Sequence, residues 1–114
     1  MDEDATIAEL KREVEEFRDE RAWRKYHKPK DLAISITIEA TELLEIFQWE
    51  NLEEREILSD NERLGRIQEE LADVFLYCLC LASILKLDVS SSLRRKLEAN
   101  RERYPVDEYY GKAK

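Results

Sequence analysis

Four carboxylates recur in two evenly spaced pairs. The stretch "IEATELLEIFQWE" carries Glu39 and Glu42 within an otherwise apolar helical pattern, and "EELADVFLY" repeats this spacing with Glu70 and Asp73. Three residues along an α-helix advance about 300°, so each pair lies on one face of its helix on successive turns. A carboxylate removed from water is costly unless it is paired or binds a metal. The spacing therefore admits two interpretations, a solvated acidic face or a site for a divalent cation.

A cluster of carboxylates suits a hard cation, because all-oxygen ligation favours Mg²⁺ or Mn²⁺ over zinc or copper. Bound Mg²⁺ usually keeps several waters and binds substrate phosphates. A di-iron site is excluded, since such bundles need Glu-x-x-His motifs on two helices and the only histidine, His27, lies in no such motif. Glu42 and Glu45 are candidate general bases, and Glu45 is also consistent with a position behind the ligands or at the surface.

The composition is typical of one small helical domain. The chain has 114 residues, of which 43% are hydrophobic and 40% charged, with two glycines and two prolines. So few turn residues argue against a β-sandwich, a β-barrel or a glycine-rich phosphate loop. The net charge of −8 argues against a surface for a nucleic-acid polymer. Small nucleotides are still possible ligands, because a bound divalent cation can offset the negative charge of both the protein and the ligand. We predict a single all-α domain over residues 1–114.

Cysteine usage and hydropathy predict a cytoplasmic protein without a membrane partner. Cys78 and Cys80 point to different sides of one helix and cannot pair with each other there. We interpret both as small apolar core residues in a reducing cytoplasm, with an intermolecular disulfide as the alternative. The longest uncharged run, 74–85, is too short to span a bilayer, and the charged start of the chain does not resemble a secretory signal.

Hydrophobic spacing predicts four helices. The first covers roughly Ala5 to Lys25, and the second runs from an N-cap at Asp31 to about Gln48. The third runs from Asp60 or Asn61 to about Leu87, and the fourth follows "LDVSSS" and ends near Arg103. The acidic linker "WENLEEREILSD" has room for a short helical turn, and residues 104–114 are predicted to be a loosely held tail.

The second and third helices are apolar over more than one stripe. A helix that is hydrophobic all round should be buried all round, and four helices of this size offer too little cover. We therefore expect a four-helix bundle-like chain that assembles as a homodimer or a larger homo-oligomer.

The ordered motifs resemble a known family. "FRDERAW", "YHKPKDLA", "ELLEIFQWE", "EELADVFLY" and "LEANRERYP" follow one another from about Phe17 to Pro105. This set is similar to the all-α nucleoside triphosphate pyrophosphohydrolases of the MazG-like superfamily, and most similar to the dCTP pyrophosphatase branch. The superfamily motif often opens with two adjacent glutamates, whereas Ile38 precedes Glu39 here. Val14 stands where that branch can place a base-contacting histidine on the first helix, which puts cytosine selectivity in question.

The resemblance implies a set of roles. Magnesium, or manganese in its place, would be held by Glu39, Glu42, Glu70 and Asp73. The enzyme would hydrolyse a nucleoside triphosphate between the α and β phosphates to give a monophosphate and pyrophosphate, and the resemblance favours a tetramer. The implied substrate-binding residues are Trp23, His27 and Trp49 at the base, and Tyr77, Lys96 and Asn100 at the sugar or phosphates.

Spacing alone is compatible with these roles and with simpler ones. Tyr77 lies one turn beyond Asp73 on the same face, so its phenol can reach a site there. Lys96, Asn100 and Arg103 share one helix face as donors for phosphate, or as an ordinary solvated face. The tryptophans could equally fill the core, and His27 could be a loop residue.

Two rival functions remain open at this stage. One is a catalytically silent helical bundle that acts as a binding or regulatory module. The other is a sibling hydrolase that acts on dUTP or phosphoribosyl-ATP, against which the paired tryptophans and "HKPK" favour the dCTP-like branch.

Overall fold

The computed structural model describes residues 1–112. In chain order its helices are α1 (Ile7–Glu20), a 3-10 turn (Arg24–Tyr26), α2 (Pro29–Glu45), α3 (Glu54–Leu58), α4 (Asn61–Ile84), α5 (Val89–Arg103) and α6 (Val106–Tyr109). No strand occurs over this range, which confirms the all-α class. The short turn expected in the acidic linker is α3.

Helix α1 begins with a capping box and ends earlier than predicted. The Thr6 hydroxyl accepts from the Glu9 backbone N–H at 3.1 Å, and the Glu9 carboxylate accepts from the Thr6 N–H at 3.4 Å. The predicted end at Lys25 is wrong, because Ala22 takes a left-handed conformation (φ 54°) and the Trp23 N–H turns back to the Arg18 carbonyl at 3.0 Å. The chain is thereby redirected before Trp23.

Helix α2 begins and ends earlier than predicted. It starts at Pro29 with Lys28 at the N-cap position, so the predicted N-cap at Asp31 is wrong. Proline is favoured in the first turn because its missing N–H would have no helical partner there, and Asp31 then complements the helix dipole. Beyond Glu45 the chain tightens into a turn in which the Phe47 N–H bonds the Leu44 carbonyl at 2.9 Å.

The junction between α4 and α5 lies earlier than the sequence indicated. Helix α4 ends at Ile84, short of Leu87, and Lys86 adopts a left-handed φ of 55°. The Asp88 carboxylate accepts from the Ser91 N–H at 2.9 Å and caps α5. The fourth helix therefore begins at Val89 and includes the three serines, because Asp88 precedes them and takes the cap position.

The predicted tail contains ordered structure. Within residues 104–112, α6 forms one helical turn, and the rings of Tyr104 and Tyr109 meet edge to face with centroids 5.2 Å apart. Residues 113–114 of that prediction lie outside the described part of the chain.

Helix α4 is the centre of the packing, with α2 as its main partner and α1 and α3 as smaller ones. The residues buried in this core are Leu32, Ile46, Cys80 and Ala82. Cys80 is therefore a core residue as predicted, whereas that prediction is wrong for Cys78, which points to the opposite side of α4 and is exposed.

Helix α5 lies away from this core. It turns from α4 by 105°, and within residues 1–112 it packs on no other helix to a comparable extent. The radius of gyration is 17.2 Å, against about 13 Å for a compact domain of this length. Large apolar side chains consequently remain exposed, among them Ile34, Ile38, Phe75, Leu93 and Leu97.

Among the described helices none is long and apolar enough to cross a membrane by itself, and the pair α4 and α5, which together reach that length and composition, is bent by 105°.

Candidate metal and nucleotide site

The two predicted carboxylate pairs meet where α2 packs on α4. One carboxylate oxygen from each of Glu39, Glu70 and Asp73 lies within 4.8 Å of the others. Glu42 lies within hydrogen-bonding reach of both Glu39 and Glu70. We call these four residues the acidic cluster. Along α2 the order is Glu39 then Glu42, and their partners follow in reverse order along α4, as in antiparallel helices.

The electrostatics of the acidic cluster are those of crowded carboxyl groups. Burial, followed by the neighbouring carboxyl of Glu42, raises the pKa of Glu39 to about 7. Burial and then Glu42 also raise the pKa of Glu70 above its ordinary value. Partial burial disfavours the charged form, and like charges nearby disfavour it further. The bare cluster therefore retains protons near neutral pH.

Two oxygens of this cluster are suited to bind a cation. Glu39 Oε2 and Glu70 Oε2 are both buried and have no hydrogen-bond partner among residues 1–112. A buried polar atom without a partner is costly and calls for a specific explanation. A hard dication would supply that partner, and a ligand set made of carboxylates alone suits Mg²⁺ or Mn²⁺.

Tyr77 joins the acidic cluster to a neighbouring cavity. Burial and then the charge of Glu39 raise the pKa of its phenol, so the hydroxyl stays protonated and can donate. Tyr77 also lines a small cavity of about 70 Å³ between α1, α4 and the 3-10 turn. Trp23 and His27 line the same cavity, and we call it the ring pocket.

His27 is held as an uncharged imidazole. Burial, and then the positive charges of Arg18 and Arg24, lower its pKa. Its Nδ1 atom is buried, and no described residue of the chain offers it a hydrogen bond. The neighbouring Arg18 is fixed by Asp19, whose carboxylate accepts from Nε at 2.8 Å and from Nη2 at 3.2 Å. The ring pocket thus combines aromatic walls with one unsatisfied polar atom.

Four residues predicted for the site lie elsewhere in this chain. Glu45 is exposed at the end of α2, and Trp49 is 87% exposed beyond that end. Lys96 and Asn100 lie on α5, where Lys96 borders a surface depression formed by its own helix. Because α5 diverges from α4, it does not bring these donors to the acidic cluster.

Sequence reasoning missed several residues that line the ring pocket, among them Phe17 and Arg18. In the sequence Phe17 stands out only as the first residue of the motif "FRDERAW". The usable signal was the spacing in "FRDERAW", where a tight turn after the helix returns Trp23 to Phe17.

Residues 34–114 match the MazG-like family. The dCTP pyrophosphatase 1 of Bos taurus is 37% identical over 103 residues, which cover 89% of this chain and 60% of that protein. The Homo sapiens protein of the same name is 36% identical over the same shares. The chain therefore spans about 60% of the length of the curated relatives it matches.

A solved structure agrees with this result at the level of the fold. The crystal structure of a pyrophosphatase from Archaeoglobus fulgidus superposes with a TM-score of 0.78 and 45% sequence identity, over 86% of this chain and 91% of that one. The predicted resemblance to the dCTP pyrophosphatase branch is confirmed by these matches. The chain belongs to the MazG-like family.

Proposed function

We propose that the chain is a magnesium-dependent nucleoside triphosphate pyrophosphohydrolase that cleaves between the α and β phosphates. The observation that carries this proposal is the acidic cluster, where three carboxylate oxygens converge within 4.8 Å and two buried oxygens lack a partner. The names of the relatives, dCTP pyrophosphatase and pyrophosphatase, support the same reaction. The products would be a nucleoside monophosphate and pyrophosphate, as expected of an enzyme that removes unwanted nucleotides from the pool.

Glu39, Glu42, Glu70 and Asp73 would hold the cation. When bound, Mg²⁺ would offset the charge of the phosphates and lower the pKa of a coordinated water. The protein itself has to position groups rather than form covalent bonds, because phosphoryl transfer depends mainly on alignment and charge.

Glu42 is the better of the two candidate general bases. It neighbours two other acids of the cluster, which supports a role beside the bound cation and its waters. Glu42 and Glu45 are both exposed, but only Glu42 is among the neighbours that raise the pKa of Glu39 and of Glu70. We therefore assign proton removal to Glu42 and a surface position to Glu45.

The ring pocket would take the nucleobase. Trp23 offers a flat apolar wall for stacking, and the uncharged His27 has a buried nitrogen that can accept from an amino group or donate in its other tautomer. Together with the names of the relatives, this favours a dCTP-like substrate. Tyr77, at the border of the pocket and the cluster, would contact the sugar or the phosphates.

Self-association would complete the site. An apolar groove of about 380 Å³ runs between α1 and α4, and its walls include Leu10, Phe17 and Phe75, which are exposed in a single chain. Burial of such faces stabilises an assembly. We infer that a second copy brings Lys96 and Asn100 of α5, and Trp49, to the acidic cluster and the ring pocket. A dimer or a tetramer in the cytoplasm remains the expectation.

The test is hydrolysis of a panel of canonical and modified nucleoside triphosphates, with Mg²⁺ or with a chelator, by the chain and by Glu39→Gln. We expect Mg²⁺-dependent turnover that Glu39→Gln lowers by at least about a hundredfold, since it removes one ligand. Glu69→Gln, an exposed neighbour on α4, is the matched control and should stay within about twofold. Absence of turnover with every nucleotide would overturn the proposal in favour of a silent binding module.

A further inference from the structure

Phe17, Arg21 and Trp23 form a stack at the edge of the ring pocket. Trp23 is 44% exposed, so burial alone does not fix its ring. The rings of Phe17 and Trp23 meet edge to face, with centroids 5.9 Å apart and planes at 75°. The guanidinium carbon of Arg21 lies 3.7 Å from the centre of the Phe17 ring and 5.9 Å from that of Trp23.

Arg21 is itself anchored to the backbone it covers. Its Nη1 donates to the Phe17 carbonyl at 2.9 Å and lies 3.4 Å from a carboxylate oxygen of Glu20. The backbone reversal at Ala22 places Trp23 beside this stack, since the Trp23 N–H bonds the end of α1. The order along the stack is therefore Arg21, Phe17 and then Trp23.

We propose that Arg21 is a positioning residue that fixes Trp23 as a wall of the ring pocket by holding Phe17 against it. Phe17 and Trp23 both line the pocket, whereas Arg21 is absent from the side chains that do. Arg21 therefore acts through Phe17 and not on the nucleotide. The kinetic consequence rests on the proposed function; the effect on Trp23 does not.

The guanidinium is suited to this role by its shape. It is planar and stacks on an aromatic face, whereas the ammonium of lysine is a compact, strongly hydrated charge. An exposed indole that is not held must lose rotational freedom when a ring binds against it, which weakens binding. The acidic cluster lies on α2 and α4, so the loss of the Arg21 side chain should not alter the rate of the chemical step.

The experiment compares Arg21→Gln and Arg21→Lys with Arg12→Gln, which removes an exposed arginine from the same helix. We expect both Arg21 variants to raise the KM of the best nucleotide by about 2–5-fold, with kcat unchanged, as loss of an exposed cation–π contact implies. Arg12→Gln should leave both constants within about twofold. Circular dichroism checks that each variant is folded.

A second readout needs no nucleotide. In a Trp49→Phe background Trp23 is the sole tryptophan, and its fluorescence anisotropy should fall in both Arg21 variants and stay constant in Arg12→Gln. Unchanged anisotropy, wild-type behaviour of Arg21→Lys, or a fall in kcat at constant KM would each overturn the proposal. If the wild-type chain had no turnover, the proposed function would fail while the anisotropy still decided the role of Arg21.

Discussion

Glu42 on α2 lies within hydrogen-bonding reach of Glu70 on α4. Two carboxyl groups form such a bond only when one of them carries a proton. Glu39, whose pKa is raised to about 7, contacts the same Glu42. Protons and divalent cations should therefore compete for the oxygens of the acidic cluster, and this competition can be measured by stability as well as by activity.

Without a divalent cation, the free energy of unfolding should fall as the pH rises from about 4.5 to about 7. The folded-state pKa of Glu39 is about 7, above its usual 4.5, and that of Glu70 is also raised. Across this range the folded chain keeps protons that the unfolded chain has released, so each rise in pH favours unfolding. Millimolar Mg²⁺ should reduce this fall by replacing the protons. Urea unfolding at several pH values, with Mg²⁺ or with chelator, measures both effects.

The matched pair for this experiment is Glu39→Gln and Glu69→Gln. The first should weaken both the pH dependence and the response to Mg²⁺. The second should retain most of both, because the charge of Glu69 adds less to the raised pKa of Glu70 than burial, Glu42 and Asp73 do. Identical pH profiles with Mg²⁺ and with chelator would contradict a cation site in the acidic cluster.

Tyr77→Phe should lower kcat/KM by about 2–10-fold, the usual effect of losing one hydrogen bond of net worth about 0.5–1.5 kcal/mol. The raised pKa keeps the phenol protonated, so the hydroxyl is a donor throughout the neutral range. Steady-state kinetics provide the measurement. Tyr110→Phe, at a tyrosine that is 85% exposed, is the control, and equal losses in the two variants would argue against a role for Tyr77.

Lys86→Gly should raise the free energy of unfolding by about 0.5–1 kcal/mol. Lys86 has a φ of 55° just after α4, and glycine adopts this left-handed conformation without the steric cost of a Cβ atom. Arg66→Gly, at an exposed position inside α4, should instead destabilise by about 1 kcal/mol. Chemical denaturation compares the two variants. A loss of stability in Lys86→Gly would contradict the claim that the left-handed φ of Lys86 costs stability.

Subunits that lack different parts of the site should complement each other. Glu39→Gln removes a cation ligand and Lys96→Ala removes a donor on α5, so each variant alone should be nearly inactive. If α5 serves the site of a second copy, a mixture unfolded and refolded together should regain up to about a quarter of wild-type activity, because half of random dimers are mixed and one of their two sites is intact. No gain above the separate variants would place both residues in the same chain.

The sequence predicts structural features that depend on neighbouring residues better than features that depend on residues far apart in the chain. The faces of Glu39 and Glu70 follow from helical periodicity, which is local, and antiparallel packing then brings them together. The predicted end of α1 is wrong because Ala22 adopts a left-handed conformation. Glycine is the usual sequence signal for that conformation, and alanine is not. The start of α5 was misjudged because Asp88 and the serines are all competent caps.

The proposed roles of Trp49 and Lys96 depend on contacts that local sequence does not determine. Nothing local to Trp49 or Lys96 determines what lies opposite them, and in a single chain both stay away from the acidic cluster. The apolar character of α2 and α4 correctly indicated exposed faces in one chain. In the proposed assembly, the placement of a second copy would decide which residues those faces bring together, and a sequence pattern does not specify that placement.

The most direct test of the central claim is identification of the products formed from dCTP in the presence of Mg²⁺, by anion-exchange chromatography. The acidic cluster and the ring pocket predict deoxycytidine monophosphate and pyrophosphate in equal amounts, with neither formed when chelator replaces Mg²⁺. Release of deoxycytidine diphosphate and inorganic phosphate would contradict cleavage between the α and β phosphates. Turnover that is unaffected by chelator would contradict a cation at the acidic cluster.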